Sequence, residues 1–194
     1  MRAIRFYKPY GVLTKFTDEE KRPTLADFID IPDIYAVGRL DMDSEGLLLL
    51  TDDGTLAYRL TDPAYAHPRT YWVQVERIPD EDALDQLRKG VILGDYLTRP
   101  AEALLIEPLD IPERTPQIRF RKTVPTAWLA LTLTEGRNRQ VRHMTAAVGH
   151  PTLRIIRMAI GSLTLDGLTP GRWTSLTTTE LDKLRRSVSG WPGG

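Results

Sequence analysis

A chain of 194 residues, 41% hydrophobic and 27% charged, is long enough for one domain or two small lobes around a buried core, and its composition excludes a disordered or fibrous protein. The absence of cysteine excludes disulfides, thiolate metal sites, iron–sulfur clusters and thiol nucleophiles, and three scattered histidines (His67, His143 and His150) offer no metal-site spacing. The formal charge is zero, 26 Lys and Arg against 26 Asp and Glu, but it is unevenly spread.

No apolar run approaches the roughly 18 residues of a membrane helix. MRAIRFYKPYG lacks the apolar core of a secretory signal, so a cytoplasmic protein with no membrane partner is expected. The first 16 residues read as strand, turn, strand: Ile4 and Phe6 alternate with polar neighbours, KPYG turns, and VLTKF follows. TLADFI (24–29) reads as a short helix capped by Thr24. YAVG leads into the acidic loop RLDMDSEG, LLLL (47–50) reads as a buried strand, and TDDG as a turn. Leu56 and Leu60 give TLAYRLT helical spacing, and DPAYAHP (62–68), with two prolines, is the expected hinge.

RTYWVQVE (69–76) is rich in β-branched and aromatic residues and reads as a strand. The next helix has Asp80 as cap, Glu81 and Asp82 in its first turn, Arg88 and Lys89 in its last, and Gly90 as its stop. Residues 101–107 and 126–134 read as strands, and NRQVRHMTAAVG (138–149) as a helix with Val141, Met144 and Val148 on one face. Residues 152–165 are strand-rich, TTTELDKLRR is a capped helix, and the tail SGWPGG is expected to fray. Strands outnumber helices without regular interleaving, which points to an α+β fold with a largely antiparallel sheet.

The charge asymmetry lies in residues 114–157. They hold Arg114, Arg119, Arg121, Lys122, Arg137, Arg139, Arg142, Arg154 and Arg157 against one acid, Glu135, a net +8. Such a block is a common footprint of a phosphate-bearing partner, and a salt-bridged solvated face is the plainer alternative. Three constellations stand out. GRLDMDSEG (38–46) packs three carboxylates and one Arg between two glycines; paired carboxylates serve as acid and base or as Mg²⁺ ligands, and a solvated turn is the plainer reading. EGRNRQVRH (135–143) places three Arg around an expected helix start, where backbone N–H groups favour anions. Tyr71 and Trp72 lie on opposite faces of their strand, so one is expected in the core and the other free to stack on a base.

Four stretches in this order resemble the motifs of the RNA pseudouridine synthase family, in the branch that holds the small-subunit rRNA enzyme and its large-subunit relatives. They are KPYGVL (8–13), GRLDMDSEGLLLLTDDG (38–54), RTYWVQVE (69–76) and EGRNRQVRHMTAAVGHPTLRIIR (135–157). Many members of the branch carry an S4-type RNA-binding domain before the first motif; here that motif begins at residue 8, so no S4 domain is expected and the short 23S rRNA enzymes are the nearest likeness.

The resemblance implies an α+β pseudouridine synthase fold: a mixed, mainly antiparallel central sheet with flanking helices, in two lobes around a catalytic cleft. The expected lobes are 1–64, with the Asp loop, and 65–194, with the Tyr strand and the Arg-rich motif. Asp41 would be the essential carboxylate that attacks the target uridine, so that the base detaches, rotates and reattaches through carbon, with no metal and no organic cofactor. Arg137 would pair with Asp41 and keep it ionised. Tyr71 would stack on the flipped uracil, Val141 would pack on its other side, and Arg39 would fill the gap left in the RNA. Arg139, Arg142 and the other arginines of the block would hold phosphates, with steep salt dependence. Asp43 would fix the loop by hydrogen bonds to backbone N–H groups, and Ser44 would be a turn residue. The expected partner is 23S ribosomal RNA, free or in an assembly intermediate, and the expected state a monomer. Rivals are a non-catalytic RNA-binding or ribosome-assembly protein, an Asp-x-Asp phosphotransferase needing Mg²⁺, and the same chemistry on 16S rRNA or tRNA.

Overall fold

The computed structural model describes residues 2–118 and 123–189, the last without its side chain. In chain order they form β1 (Ala3–Lys8), a one-turn 3-10 helix (Leu25–Asp27), β2 (Tyr35–Ala36), β3 (Glu45–Thr51), α1 (Gly54–Thr61), a second 3-10 turn (Pro63–Tyr65), β4 (Arg69–Glu76), α2 (Glu81–Lys89), β5 (Ile92–Leu93), β6 (Tyr96–Leu97), β7 (Glu102–Ile106), β8 (Thr126–Leu133), α3 (Gln140–Ala147), β9 (Thr152–Ile160), β10 (Leu163–Thr164), β11 (Trp173–Ser175) and α4 (Thr178–Ser189). This is the α+β class, and β1–β11, β1–β3, β2–β3, β4–β8 and β7–β8 all pair antiparallel. No helix among the described residues is long and apolar enough to cross a membrane.

The chain divides into two compact units, Met1–His67 with Arg157–Gly194, and Pro68–Ile156. The first break falls in the proline-containing stretch 62–68. The expected single division after residue 64 becomes two, because the chain beyond Arg157 returns to the first unit, where β11 lies on β1 with Ile4 opposite Ser175.

In the first unit β1 is sandwiched between β11 and β3. The four leucines of β3 are buried on both faces, which is why the run carries no alternation. One face packs with Ile4, Phe6, Leu25, Ile29, Ile34, Leu48 and Leu50, and the rings of Phe6 and Phe28 lie 5.6 Å apart. Burial of each large aliphatic side chain contributes about 1.5–3 kcal/mol. TDDG is more than a turn: the Asp53 carboxylate accepts the Leu56 N–H at 3.0 Å and starts α1. VLTKF is not a strand. Both edges of β1 are taken by β3 and β11, so the segment runs instead beside residues 23–25, with Leu13 N–H on Pro23 O (2.9 Å) and Leu25 N–H on Lys15 O (2.9 Å). The helix expected over 24–29 shortens to the single 3-10 turn, its start held by Thr24 N–H on the Asp27 carboxylate at 2.7 Å.

In the second unit β4 runs its full length against β8, from Arg69 opposite Leu133 to Glu76 opposite Thr126, and β7 covers the other edge of β8. Val73, Val75, Leu84, Leu87, Leu129, Leu131, Val141, Met144 and Ile155 form its core. α2 starts and stops where its residues predict, with Asp80 accepting the Ala83 N–H at 2.9 Å. β5 and β6 form a separate two-stranded hairpin that the residue pattern does not predict. Of the basic block, Arg119, Arg121 and Lys122 lie outside the described residues, as does the tail beyond Ser189.

Candidate functional site

Asp41 stands half-exposed on the loop between β2 and β3, and its backbone is fastened at several points. The Gly11 N–H binds Met42 O at 2.8 Å, and the Ser44 N–H binds Asp41 O at 3.0 Å. Thr14 Oγ1 donates to Leu40 O at 2.6 Å and accepts the Leu40 N–H at 3.2 Å. Below the loop, Arg157 Nε donates to Leu47 O at 2.8 Å and Arg157 Nη1 reaches Arg39 O at 3.5 Å, bracketing the loop at both ends. Gly46 makes that clasp possible: its φ is +106°, and a Cβ there would lie 2.4 Å from Arg157 O.

Lys8 lies under the same loop and is fully buried. Its ammonium donates to Val12 O at 2.7 Å and Pro9 O at 3.0 Å. Burial pushes its pKa down to about 8; the carboxylates of Glu45, Asp43 and Asp41 pull the other way, and Arg157 adds to the lowering. Glu45 and Ser44 are buried as well, so the acidic run is not a solvated turn. Arg39 is exposed. Lys8 opens the KPYG motif, and the motif resemblance assigns it no role.

In the second unit the helix expected from residue 138 begins at Gln140, because Arg139 adopts a left-handed φ of +51°. Arg137, Asn138 and Arg139 therefore form an exposed loop ahead of α3. Buried Glu135 organises this loop. Its carboxylate accepts the Tyr96 hydroxyl, the Arg99 N–H at 2.9 Å and Gln140 Nε2 at 2.5 Å. Burial pushes the Glu135 carboxyl up, but these donors outweigh it and hold its pKa below the usual value. Gln140 Oε1 in turn accepts the Arg137 N–H at 2.9 Å, and the Arg137 guanidinium lies 3.3 Å from the centroid of the Tyr96 ring. Nothing in the residue pattern singles out Tyr96, which lies in a two-residue strand.

The remaining candidates fall in the second unit. Tyr71 is half-buried and shares its face of β4 with Val73 and Val75, packing against the core, and Trp72 on the opposite face is half-buried too. Neither fits the expected split between one core ring and one free ring. Val141 is buried in the core beside Met144. Arg139 is exposed and Arg142 half-buried. Arg154 and Arg157 are buried, 6% and 3% exposed, which corrects the expectation that the whole block faces phosphate. Arg157 belongs to the loop clasp of the first unit instead. Among the described residues no three of His, Asp and Glu gather to hold a metal ion.

Comparisons with known proteins agree on a family. The profile of the family described as RNA pseudouridylate synthase matches residues 2–147. The chain is 59% identical over 175 residues to the ribosomal large subunit pseudouridine synthase E of Xanthomonas axonopodis pv. citri, covering 89% of this chain and 92% of that protein. It is 53% identical over 176 residues to the protein of the same name from Vibrio vulnificus, covering 91% and 75%. A crystal structure of a pseudouridylate synthase, 32% identical, superposes with a TM-score of 0.78 over 94% of this chain and 73% of the other. With the family profile over most of its length, and its fold and motif order in agreement, the chain belongs to the RNA pseudouridylate synthase family.

Proposed function

We propose that the chain isomerises a uridine of large-subunit (23S) ribosomal RNA to pseudouridine, with Asp41 as the nucleophile. The observation that carries the reading is the Asp41 loop: its backbone is tied down on both sides, and Asp41 itself stays half-exposed. Preorganisation of this kind favours attack by a fixed group. The substrate class rests on the two large-subunit relatives, 59% and 53% identical.

The reaction balances within the substrate. The Asp41 carboxylate bonds to the sugar carbon as that carbon's bond to the base nitrogen breaks, the base turns, and a bond from the sugar carbon to base C5 forms as the carboxylate leaves. The proton on C5 leaves to solvent, a proton is taken up at the freed nitrogen, and the carboxylate is regenerated. No co-reactant is consumed. In this reading Arg137 is the counter-charge of the reaction, Tyr71 and Val141 hold the flipped base, Arg39 occupies its vacated place, and Arg139 and Arg142 bind phosphates. The chain acts as a cytoplasmic monomer, without metal.

The test is tritium release from protein-free 23S rRNA labelled at uridine C5, with 16S rRNA and tRNA in parallel and EDTA present. The expected result is release from 23S rRNA alone, stoichiometric with the RNA, and none with Asp41→Asn. Release only from 16S rRNA or tRNA overturns the substrate; release from no RNA overturns the reaction.

A further inference from the structure

We propose that Tyr96 is a positioning residue for Arg137, its ring face carrying the guanidinium while its hydroxyl fixes the carboxylate that shapes the Arg137 loop. The inference rests on the reading of Arg137 as the counter-charge of the reaction.

Arg137 is exposed and precedes the first turn of α3, so no helical backbone limits its side chain. An arginine in that setting samples many rotamers, and a fixed aromatic face selects among them. The 3.3 Å separation from guanidinium carbon to ring centroid is well inside cation–π range. The Tyr96 hydroxyl donates to Glu135, which shifts electron density into the ring and strengthens its hold on a cation. The same carboxylate binds Gln140, which takes the Arg137 N–H. Backbone and side chain of Arg137 therefore answer to one buried anion, by two routes.

The hairpin that presents Tyr96 is fastened at its turn and at its base. Gly94, at φ +67°, turns the chain so that Tyr96 faces Leu93, and Leu93 packs on the core of the unit. Its base is closed by Thr98 N–H on Val91 O at 3.0 Å and Val91 N–H on Thr98 Oγ1 at 2.9 Å. Gly90 permits this closure, since a Cβ there would lie 2.5 Å from Thr98 O. A hairpin so anchored is a platform for a ring.

The test compares Tyr96→Phe and Tyr96→Leu, alone and combined with Arg137→Lys, by tritium-release kinetics on 23S rRNA. It adds the NMR shift of the Arg137 side chain in arginine-labelled protein. Tyr96→Leu is expected to lower kcat about threefold to thirtyfold with KM within about twofold, and Tyr96→Phe to retain most of the rate. Tyr96→Leu should cost little more once Arg137 is Lys. The Arg137 side-chain protons should be moved upfield by the ring in the wild type and in Tyr96→Phe, and return to ordinary values in Tyr96→Leu. An unchanged kcat in Tyr96→Leu, an equal loss in the Arg137→Lys background, or no upfield shift in the wild type overturns the proposal; the last holds even if Tyr96→Leu does not fold. If Arg137→Gln, assayed beside these variants, is as active as wild type while the upfield shift is present, it is the reading of Arg137 that fails and not the placement of Tyr96.

Discussion

The loop that carries Asp41 and the loop that carries Arg137 are stiffened by opposite chemistry. Under the Asp41 loop the buried groups are cations, Arg157 and Lys8, and they bind backbone carbonyls of Arg39, Leu47, Pro9 and Val12. Under the Arg137 loop the buried group is an anion, Glu135, and it collects a hydroxyl, an amide and a backbone N–H. Which backbone group turns inward decides the sign of its anchor: inward carbonyls take a donor, inward N–H groups an acceptor. Asp41 and Arg137 are thus each opposite in sign to the buried anchor of their own loop. A charge count along the chain mixes the two roles, so nine basic residues in 114–157 overstate the surface available to RNA.

The largest effect is expected from removing the Arg157 clasp. Arg157→Met removes the donor from the Arg39 carbonyl of the Asp41 loop and from the Leu47 carbonyl of β3, and should lower stability to urea by about 2–4 kcal/mol. A loss below about 1 kcal/mol would break the comparison, because the Asp41 loop would then not depend on its buried cation.

Lys8 sharpens it through pH. Its folded pKa of about 8 lies below the ordinary lysine value of 10.5, chiefly through burial. Between those values the unfolded chain binds more protons than the folded one, so stability rises with pH there, by at most about 1.4 kcal/mol per pH unit, and this contribution is lowest and flat below pH 8. The stability of wild type relative to Lys8→Met, followed by urea unfolding, should therefore grow from pH 8 to 10. A constant difference would take Lys8 out of the set of buried cations.

The smallest effects separate the exposed and half-buried arginines from the buried ones. Arg139→Gln should reduce the slope of log affinity for RNA against log salt by about 1, as should Arg142→Gln, while a folded Arg154→Gln should leave it unchanged. An unchanged slope for Arg139→Gln and Arg142→Gln alike would remove the exposed end of the block from the RNA surface.

What could be read from the residues was whatever local pattern decides. β4 and α2 follow from composition and capping, and they match the structure end to end. Tertiary competition decided the rest. VLTKF has strand-like residues, but β3 and β11 already occupy both edges of β1. β5, β6 and β11 are two or three residues long, too short to show a period, so the hairpin that presents Tyr96 was invisible. The start of α3 moved because Arg139 takes a positive φ, which side-chain spacing does not reveal. The motif resemblance drew attention to Asp41 over Asp43, a choice that spacing alone leaves open. It gave no sign that Arg157 is buried beneath the Asp41 loop.

The most direct test of the whole account sets Asp41→Asn beside Asp43→Asn and measures kcat for tritium release and the Kd for 23S rRNA on both. Asp41→Asn should lose at least about a thousandfold in kcat, with Kd within about threefold of wild type, whereas Asp43→Asn should keep its rate within about tenfold. Full activity in Asp41→Asn, or a collapse confined to Asp43→Asn, would contradict the account.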